Sequence, residues 1–426
     1  MKRRIWLSGV FLLLAFGFLG MRVYDSMAAP VLTATEESAY NQITVFTRAL
    51  LLIRQDYVDE KKISYHDLIY SALRGMMSNL DPHSQFMEPV SYKDMQDDTR
   101  SQFGGLGIVV SVRDGVLTIV SPMEDSPGFK AGLLPGDQIL KINGQSSEKL
   151  DVNDAVTQLR GEIGGKVTLT ILRPSSHDIR DYTLTREIIR VASVKDAKLL
   201  PPEIAGEHKI AYMRITQFNE PTPDELGKRL DELEAKGAQA AIIDLRYNPG
   251  GLLESAVKVC SQFLPPGQMV VYTEGRVPSQ KKVYRTVNLG RQHKLPLAIL
   301  INNGSASASE IVSGALKDLN RAIIVGETSF GKGSVQSVIQ LPDGSALRMT
   351  TAKYYTPSKQ VIHEHGVAPT IRATLTPEQD RQLLLTRRDE GSLSDGEKKD
   401  LAGFHDAQLE RAADALKGVM IFASKK

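Results

Sequence analysis

Two short apolar runs constrain the fold of this chain more than anything else in it. Residues 240–245 are apolar but for Asp244, and residues 297–301 are wholly apolar. The first runs into Asn248-Pro249-Gly250-Gly251. The second runs into Gly304-Ser305-Ala306-Ser307-Ala308-Ser309-Glu310. Each turn of small residues is followed by helical spacing. Strands buried on both faces read as continuous apolar runs, and they belong to parallel sheets covered by helices. Further strands are expected at 210–215 and 321–325, and helices at 223–236, at 254–263 and from the serine turn to about Leu319. Residues 191–370 therefore read as an α/β core with parallel strands and flanking helices.

The flanking segments have other characters. Residues 29–100 read as helical, with Ile43, Phe46, Leu50 and Ile53, then Leu68, Ala72, Leu73 and Met76, at helical spacing. Pro82 disfavours helix at Asp81. Residues 101–190 are β-rich: a glycine loop at 103–107 enters a strand, and Asn143-Gly144 marks a tight turn. Further strands are expected at 116–120 and 166–173, and a short helix at 152–159. In the last segment, 371–426, charged residues 388–400 mark a solvated linker before an amphipathic helix at 397–419. At the other end, Lys2, Arg3 and Arg4 precede an uncharged apolar run from Ile5 to Met21. That is the pattern of a signal segment. Ser26-Met27-Ala28 fits a cleavage site, while the run also meets the short limit of a membrane anchor. Residues 1–28 are thus a signal peptide or a signal anchor. Either places the body of the protein in the periplasm or on the extracytoplasmic face of the membrane.

Composition excludes several classes. The net charge of +2 carries no broad electrostatic footprint for nucleic acid. One cysteine, Cys260, leaves neither an internal disulfide nor a multi-cysteine zinc site, and its helical run makes it a core residue. The chemistry lies in the serine turn. A serine attacks only when a base takes its proton, and a lysine held neutral by burial can be that base. Ser307 sits where a strand meets a helix and backbone N–H groups are unpaired. Ala308, the next residue, can lend its N–H to an oxyanion, and Gly250 or Gly251 can supply a second donor at an equivalent strand end. The competing reading of Ser307-x-x-Glu310 is a structural capping box. Lys332 has rivals too. It can be an ordinary loop lysine, and Gly326-x-x-x-x-Gly331-Lys332 nearly matches a phosphate-binding loop. Gly333 stands where that motif needs Ser or Thr, and strands rather than a helix follow. His83 reads as a structural hydrogen bonder. His363 and His365 read as a polar loop, without the i, i+4 spacing of a helical zinc site. No metal and no cofactor is expected.

Taken in order, the motifs resemble one family. They are Leu80-Asp81-Pro82-His83-Ser84, the Gly104–Gly107 loop, Gly136-Asp137 with Ile142-Asn143-Gly144, and Leu159-Arg160-Gly161. Asp244-Leu245-Arg246 with Asn248-Pro249-Gly250-Gly251, the Ser305–Glu310 turn, Ser329-Phe330-Gly331-Lys332-Gly333 through Gln336, and Tyr354-Tyr355-Thr356-Pro357 complete the series. This order is similar to that of the carboxyl-terminal processing, or tail-specific, proteases over about residues 40–370. The resemblance implies a crotonase/ClpP-like core and a Ser–Lys peptidase. Ser307 would be the nucleophile, Lys332 the general base, Gln336 the partner that orients it, and Gly250, Gly251 and Ala308 the oxyanion hole. It further implies that residues 101–190 form a PDZ domain, with Gly105, Leu106, Gly107 and Ile108 receiving a C-terminal carboxylate and Ile108 and Val110 along the receiving strand. Arg160 would link that groove to the active site, its alternative being a plain surface ion pair. Tyr247, Lys359 and His363-Glu364-His365 depart from the family pattern and bear on the shape of the substrate channel. The expected partners are protein substrates with free, apolar C-termini. A regulatory or adaptor protein and a homo-oligomer stay open. So do two other classes of function, a catalytically silent PDZ scaffold and an acyl-CoA enzyme of the crotonase type.

Overall fold

The structure, a computed structural model, describes residues 34–423 apart from 114, 124, 149 and 389–392. The signal segment, 1–28, lies outside the described residues. Residues up to Asn79 form one compact unit and residues from Leu80 a second. The first holds the helices Ala34–Asp56 and Tyr65–Ser78. Ser64 caps the latter, its hydroxyl accepting from Asp67 N–H at 3.0 Å.

In the second unit the core is a six-stranded sheet. Its strands, in spatial order, are Val194–Leu199, Ile210–Ile215, Ala240–Asp244, Leu297–Ile301, Ile323–Gly326 and Ile371–Arg372. The first pair is antiparallel and every later pair is parallel. Ala240–Asp244 and Leu297–Ile301 are buried at every position, as strands covered on both faces must be. The helices Thr222–Ala235, Leu253–Ser261 and Ala308–Asp318 bury Leu226, Leu230, Val259, Val312 and Leu316 against one face. The helix Ala407–Ala423 buries Ala412, Ala413 and Leu416 with Ile242, Leu300 and Val325 of the sheet. Cys260 is a core residue, and burial pushes its thiol pKa up.

A second sheet turns on the long strand Ala346–Tyr355. It forms a hairpin with Ser334–Gln340. Its other edge pairs Gln85–Met87 at one end and Met269–Gly275 at the other. Gln85–Met87 corrects the helical reading of residues 29–100. This three-residue strand exists because Asp81 folds the chain back, its Oδ1 accepting from the N–H groups of His83 and Ser84 at 2.8 and 2.9 Å. The single helix expected at 397–419 is two, Asp395–Leu401 and Ala407–Ala423. Gly403, with φ of 101°, turns the chain between them.

A third sheet runs in the order Ile108–Arg113, Val116–Pro122, Gln138–Ile142, Lys166–Arg173 and Asp178–Thr185. With the helix Val152–Leu159 it encloses a separate core of Leu117, Ile119, Ile139, Val167, Leu169 and Ile171. Ile108–Arg113 is an edge strand.

Candidate active site

The carboxyl ends of three adjacent parallel strands supply the site, which is where open α/β sheets place their chemistry. Ala240–Asp244 leads to Gly250 and Gly251, Leu297–Ile301 to the serine turn, and Ile323–Gly326 to Lys332. Of the three serines in the turn, two are fully buried and engaged. Ser305 Oγ donates to Leu245 O at 2.8 Å, and Ser309 Oγ donates to Asn248 O at 3.0 Å. Ser307 is half-buried and lines a cavity of about 420 Å³ with Lys332, Gln336 and Tyr354. Its φ of 55° is strained for a residue with a Cβ, and such strain collects where a side chain must be presented.

Only part of a capping box is present. Glu310 accepts from Ser307 N–H at 2.8 Å, while the Glu310 N–H donates to the Ser307 carbonyl rather than to its hydroxyl. Glu310 does much more than cap. It is fully buried, and it also accepts from Ser329 Oγ at 2.6 Å, Gly331 N–H at 2.7 Å and Lys332 N–H at 2.9 Å. One carboxylate thus fastens the loop that carries Lys332 to the turn that carries Ser307. Burial raises its pKa above the usual carboxylate range, although these four hydrogen bonds pull the other way.

Lys332 is half-buried, and its ammonium has no hydrogen-bonded partner among the described residues. Desolvation lowers its pKa below the usual lysine range, and the Arg348 guanidinium lowers it further. Tyr354, buried and on the same wall, donates its hydroxyl to the Lys332 carbonyl. Sequence reasoning gave Glu310, Tyr354 and Arg348 no place in the chemistry. The capping spacing was the only signal for Glu310.

Two expectations change. Gly250 N–H is committed to Asn248 Oδ1 at 2.8 Å, so it is not available to an oxyanion. Gly250 instead makes room: a Cβ there would stand 2.7 Å from Ser307 Cβ. The N–H groups of Gly251 and Ala308 have no acceptor among the described residues. Gln336 lines the cavity, but its amide nitrogen donates to Ser334 Oγ at 2.9 Å, not toward Lys332. His83 bonds through its backbone as expected. Its imidazole also feels Lys332 and Arg348, and burial lowers its pKa.

In the β-rich segment, Gly105, Leu106, Gly107, Ile108, Val156 and Arg160 line a groove of about 200 Å³ between the edge strand and the helix Val152–Leu159. The N–H groups of Leu106 and Gly107 have no acceptor among the described residues. The Gly107 φ of 64° and Ser126 packed beneath it exclude a side chain. Arg160 lies over the Phe103 ring, 4.2 Å from its centroid, with Asp98 at 3.9 Å. It also lines a second cavity with Gln217 and Asn219, and both of those reach the cavity lined by Ser307 and Lys332.

The sequence is similar to those of known proteins. Residues 209–373 match peptidase family S41, and residues 118–173 match the PDZ domain. Over 354 residues the chain is 42% identical to the carboxy-terminal-processing protease of Bartonella bacilliformis, covering 81% of this chain and 78% of that one. It is 35% identical over 348 residues to the carboxy-terminal processing protease CtpB of Bacillus subtilis, covering 82% and 71%. Among solved structures, the photosystem II D1 C-terminal processing protease is 28% identical with a TM-score of 0.44, covering 78% of this chain and 92% of that one.

Proposed function

The chain belongs to peptidase family S41, among the carboxy-terminal processing proteases, as a serine-type peptidase with a PDZ domain that acts on the C-terminal tails of proteins, and from that premise we propose that it works by a Ser307–Lys332 pair. Neutral Lys332 takes the proton of Ser307 Oγ as the oxygen attacks a peptide carbonyl. The carbonyl oxygen becomes an oxyanion held by the N–H groups of Gly251 and Ala308, each worth about 3 kcal/mol to the transition state. The Lys332 ammonium then returns the proton to the departing amine. Water, deprotonated by the same lysine, hydrolyses the acyl-enzyme. Gln336 shapes the wall beside Lys332 through Ser334. Strand ends that converge on one cavity support the crotonase/ClpP-like reading of the core.

One observation carries this reading. Of the three serines in the turn, Ser307 alone lines the cavity that Lys332 lines, with the Tyr354 hydroxyl within hydrogen-bonding reach of its side chain. The edge strand and the loop Gly105–Ile108 would receive the substrate tail, with its carboxylate on the Leu106 and Gly107 N–H groups. Arg160 would couple that groove to the catalytic cavity. The basic and apolar start of the chain supports export, cleaved or anchored, to the extracytoplasmic side of the membrane.

The test is hydrolysis of a peptide with an apolar C-terminus. Ser307→Ala and Lys332→Ala should each lose roughly a thousandfold or more in kcat. Mass spectrometry should trap an acyl adduct on Ser307 in the parent enzyme. Full activity in either variant would overturn the pair.

A further inference from the structure

The catalytic cavity holds a charge that this reaction leaves unused. Arg348 stands on the strand Ala346–Tyr355, where alternate residues share a face. Arg348 and Thr350 therefore point the same way, ahead of a register shift between Thr350 and Ala352. Arg348 and Tyr354 line the cavity, and Thr350 Oγ1 is reached by Gln336 Nε2 at 3.4 Å. The Arg348 guanidinium is half-buried and forms no ion pair among the described residues. Its hydrogen bond is a long one, from Nε to the His83 carbonyl at 3.4 Å. Other arginines removed from solvent hold shorter bonds, Arg186 and Arg321 to backbone carbonyls and three more to carboxylates. Arg173 grips Asp137 with two bonds of 2.8 Å, Arg214 meets Asp196 at 2.7 Å, and Arg246 meets Asp244 and Asp406 at 2.7 Å each.

Among the described residues, the acids near this site are committed to other donors. Two acids act electrostatically on Lys332, Glu310 and Asp81. Both have their oxygens engaged, Glu310 by the four donors described above and Asp81 by His83 N–H, Ser84 N–H and Ser84 Oγ. Arg348 acts on both Lys332 and His83, whose pKa values burial lowers, so the guanidinium is the fixed positive charge of this wall. The acidic residue on the cavity wall is Glu254, which is exposed and interacts with Tyr284. A planar guanidinium with free donors, in a half-desolvated wall beside the reacting atoms, is built to grip a carboxylate bidentately.

We propose that Arg348 is a specificity residue that binds a carboxylate of the substrate tail inside the catalytic cavity. This rests on the Ser307–Lys332 reading. The carboxylate can be an Asp or Glu side chain next to the scissile bond or the α-carboxylate of a short tail. A carboxylate seated there also screens Arg348 from Lys332, so a product that lingers favours the protonated amine and slows the next turnover.

The experiment uses internally quenched peptides with one apolar C-terminal sequence. They carry Glu or Gln beside the scissile bond, and each is made as the C-terminal acid and as the amide. The parent enzyme, Arg348→Gln and Arg348→Lys are compared at the pH plateau of each. The parent should prefer the acidic member of one pair by about ten- to a hundredfold in kcat/KM, the size of a charge-assisted hydrogen bond. Arg348→Gln should reduce that preference to about twofold or less, and Arg348→Lys should keep part of it. Collapse of the Glu/Gln ratio assigns the side chain. Collapse of the acid/amide ratio assigns the α-carboxylate, because any loss at the PDZ groove is common to all three enzymes and cancels from the cycle. Acid-to-neutral ratios that are unchanged by Arg348→Gln for both pairs overturn the proposal. The same peptides bound to Ser307→Ala, with and without Arg348→Gln, read the subsite by fluorescence anisotropy without catalysis. Equal affinity ratios there overturn it as well. Failure of the catalytic reading looks different: Ser307→Ala would cleave as fast as the parent.

Discussion

Asp244 and Glu310 are both fully buried carboxylates at the same end of the core sheet, yet they live in opposite surroundings. Asp244 closes the strand that pairs with Leu297–Ile301, and Glu310 lies in the first turn of the helix that follows Leu297–Ile301. Asp244 is surrounded by charge: Arg246 at 2.7 Å, Arg387 at 3.2 Å, and the Tyr212 hydroxyl at 2.9 Å. Burial pushes its pKa up, but the guanidinium of Arg246, helped by Arg387, overcomes this and holds it at about 2. Glu310 meets only neutral donors, and there burial wins. The difference separates scaffold from site. The ion cluster ties strand ends to the C-terminal segment through Asp406 and Gln408, which Arg246 also holds. The neutral clamp sets the geometry of Ser307 and Lys332 without a guanidinium lodged between them.

The most damaging way to break this comparison is to remove the charge from the scaffold. Arg246→Met leaves Asp244 and Asp406 buried with a cation missing. It should cost about 3–5 kcal/mol in urea unfolding. A loss below about 1 kcal/mol would mean that the cluster is not what fastens the C-terminal segment.

Glu310→Gln sharpens the contrast from the other side. One oxygen that accepts becomes an amide that donates, so two of the four donors lose their acceptor, at about 1–3 kcal/mol each. Activity per folded molecule should fall by more than about tenfold, because the clamp places the reacting groups to within fractions of an ångström. The pH–activity limb set by Lys332 should also move to lower pH, since removing a nearby negative charge favours the neutral amine. Lost stability with unchanged activity per folded molecule and an unmoved limb would make Glu310 a second scaffold acid.

How much of this is legible in the sequence depends on range. Continuous apolar runs identify the core strands to within a residue or two, because burial on both faces leaves no other composition. The serine turn, Lys332 and the glycine loop before Ile108 are local patterns and read well. The short strand Gln85–Met87 is not legible, because its partner, Arg348 included, lies in a distant segment. The grip of Glu310 on residues 329–332 is equally hidden: the capping spacing announces an acid at that position but not a tertiary clamp. The same holds for Arg246, whose partners Asp406 and Gln408 arrive from the far end of the chain. The commitment of Gly250 N–H to Asn248, and of Gln336 to Ser334, depends on side-chain rotation that no spacing encodes.

The smallest expected effect is the acid limb of stability, and here the two carboxylates oppose each other. The folded pKa of Asp244, about 2, lies below its ordinary value of 3.8. Its contribution is complete above pH 4 and is lost as pH falls through about 2. The window corresponds to roughly 2–3 kcal/mol. Glu310 has its pKa raised by folding, so the folded state holds that proton more tightly and gains stability as pH falls through the raised value. Urea unfolding of the parent between pH 2 and 7 sums both. Glu310→Gln deletes one contribution, so its stability should decline more steeply on acidification than the parent's, starting from a lower plateau. Parallel curves for the two proteins would mean that the four donors hold the charged form of Glu310 as firmly as Arg246 holds that of Asp244, and the contrast between a charged scaffold and a neutral clamp would fall with them.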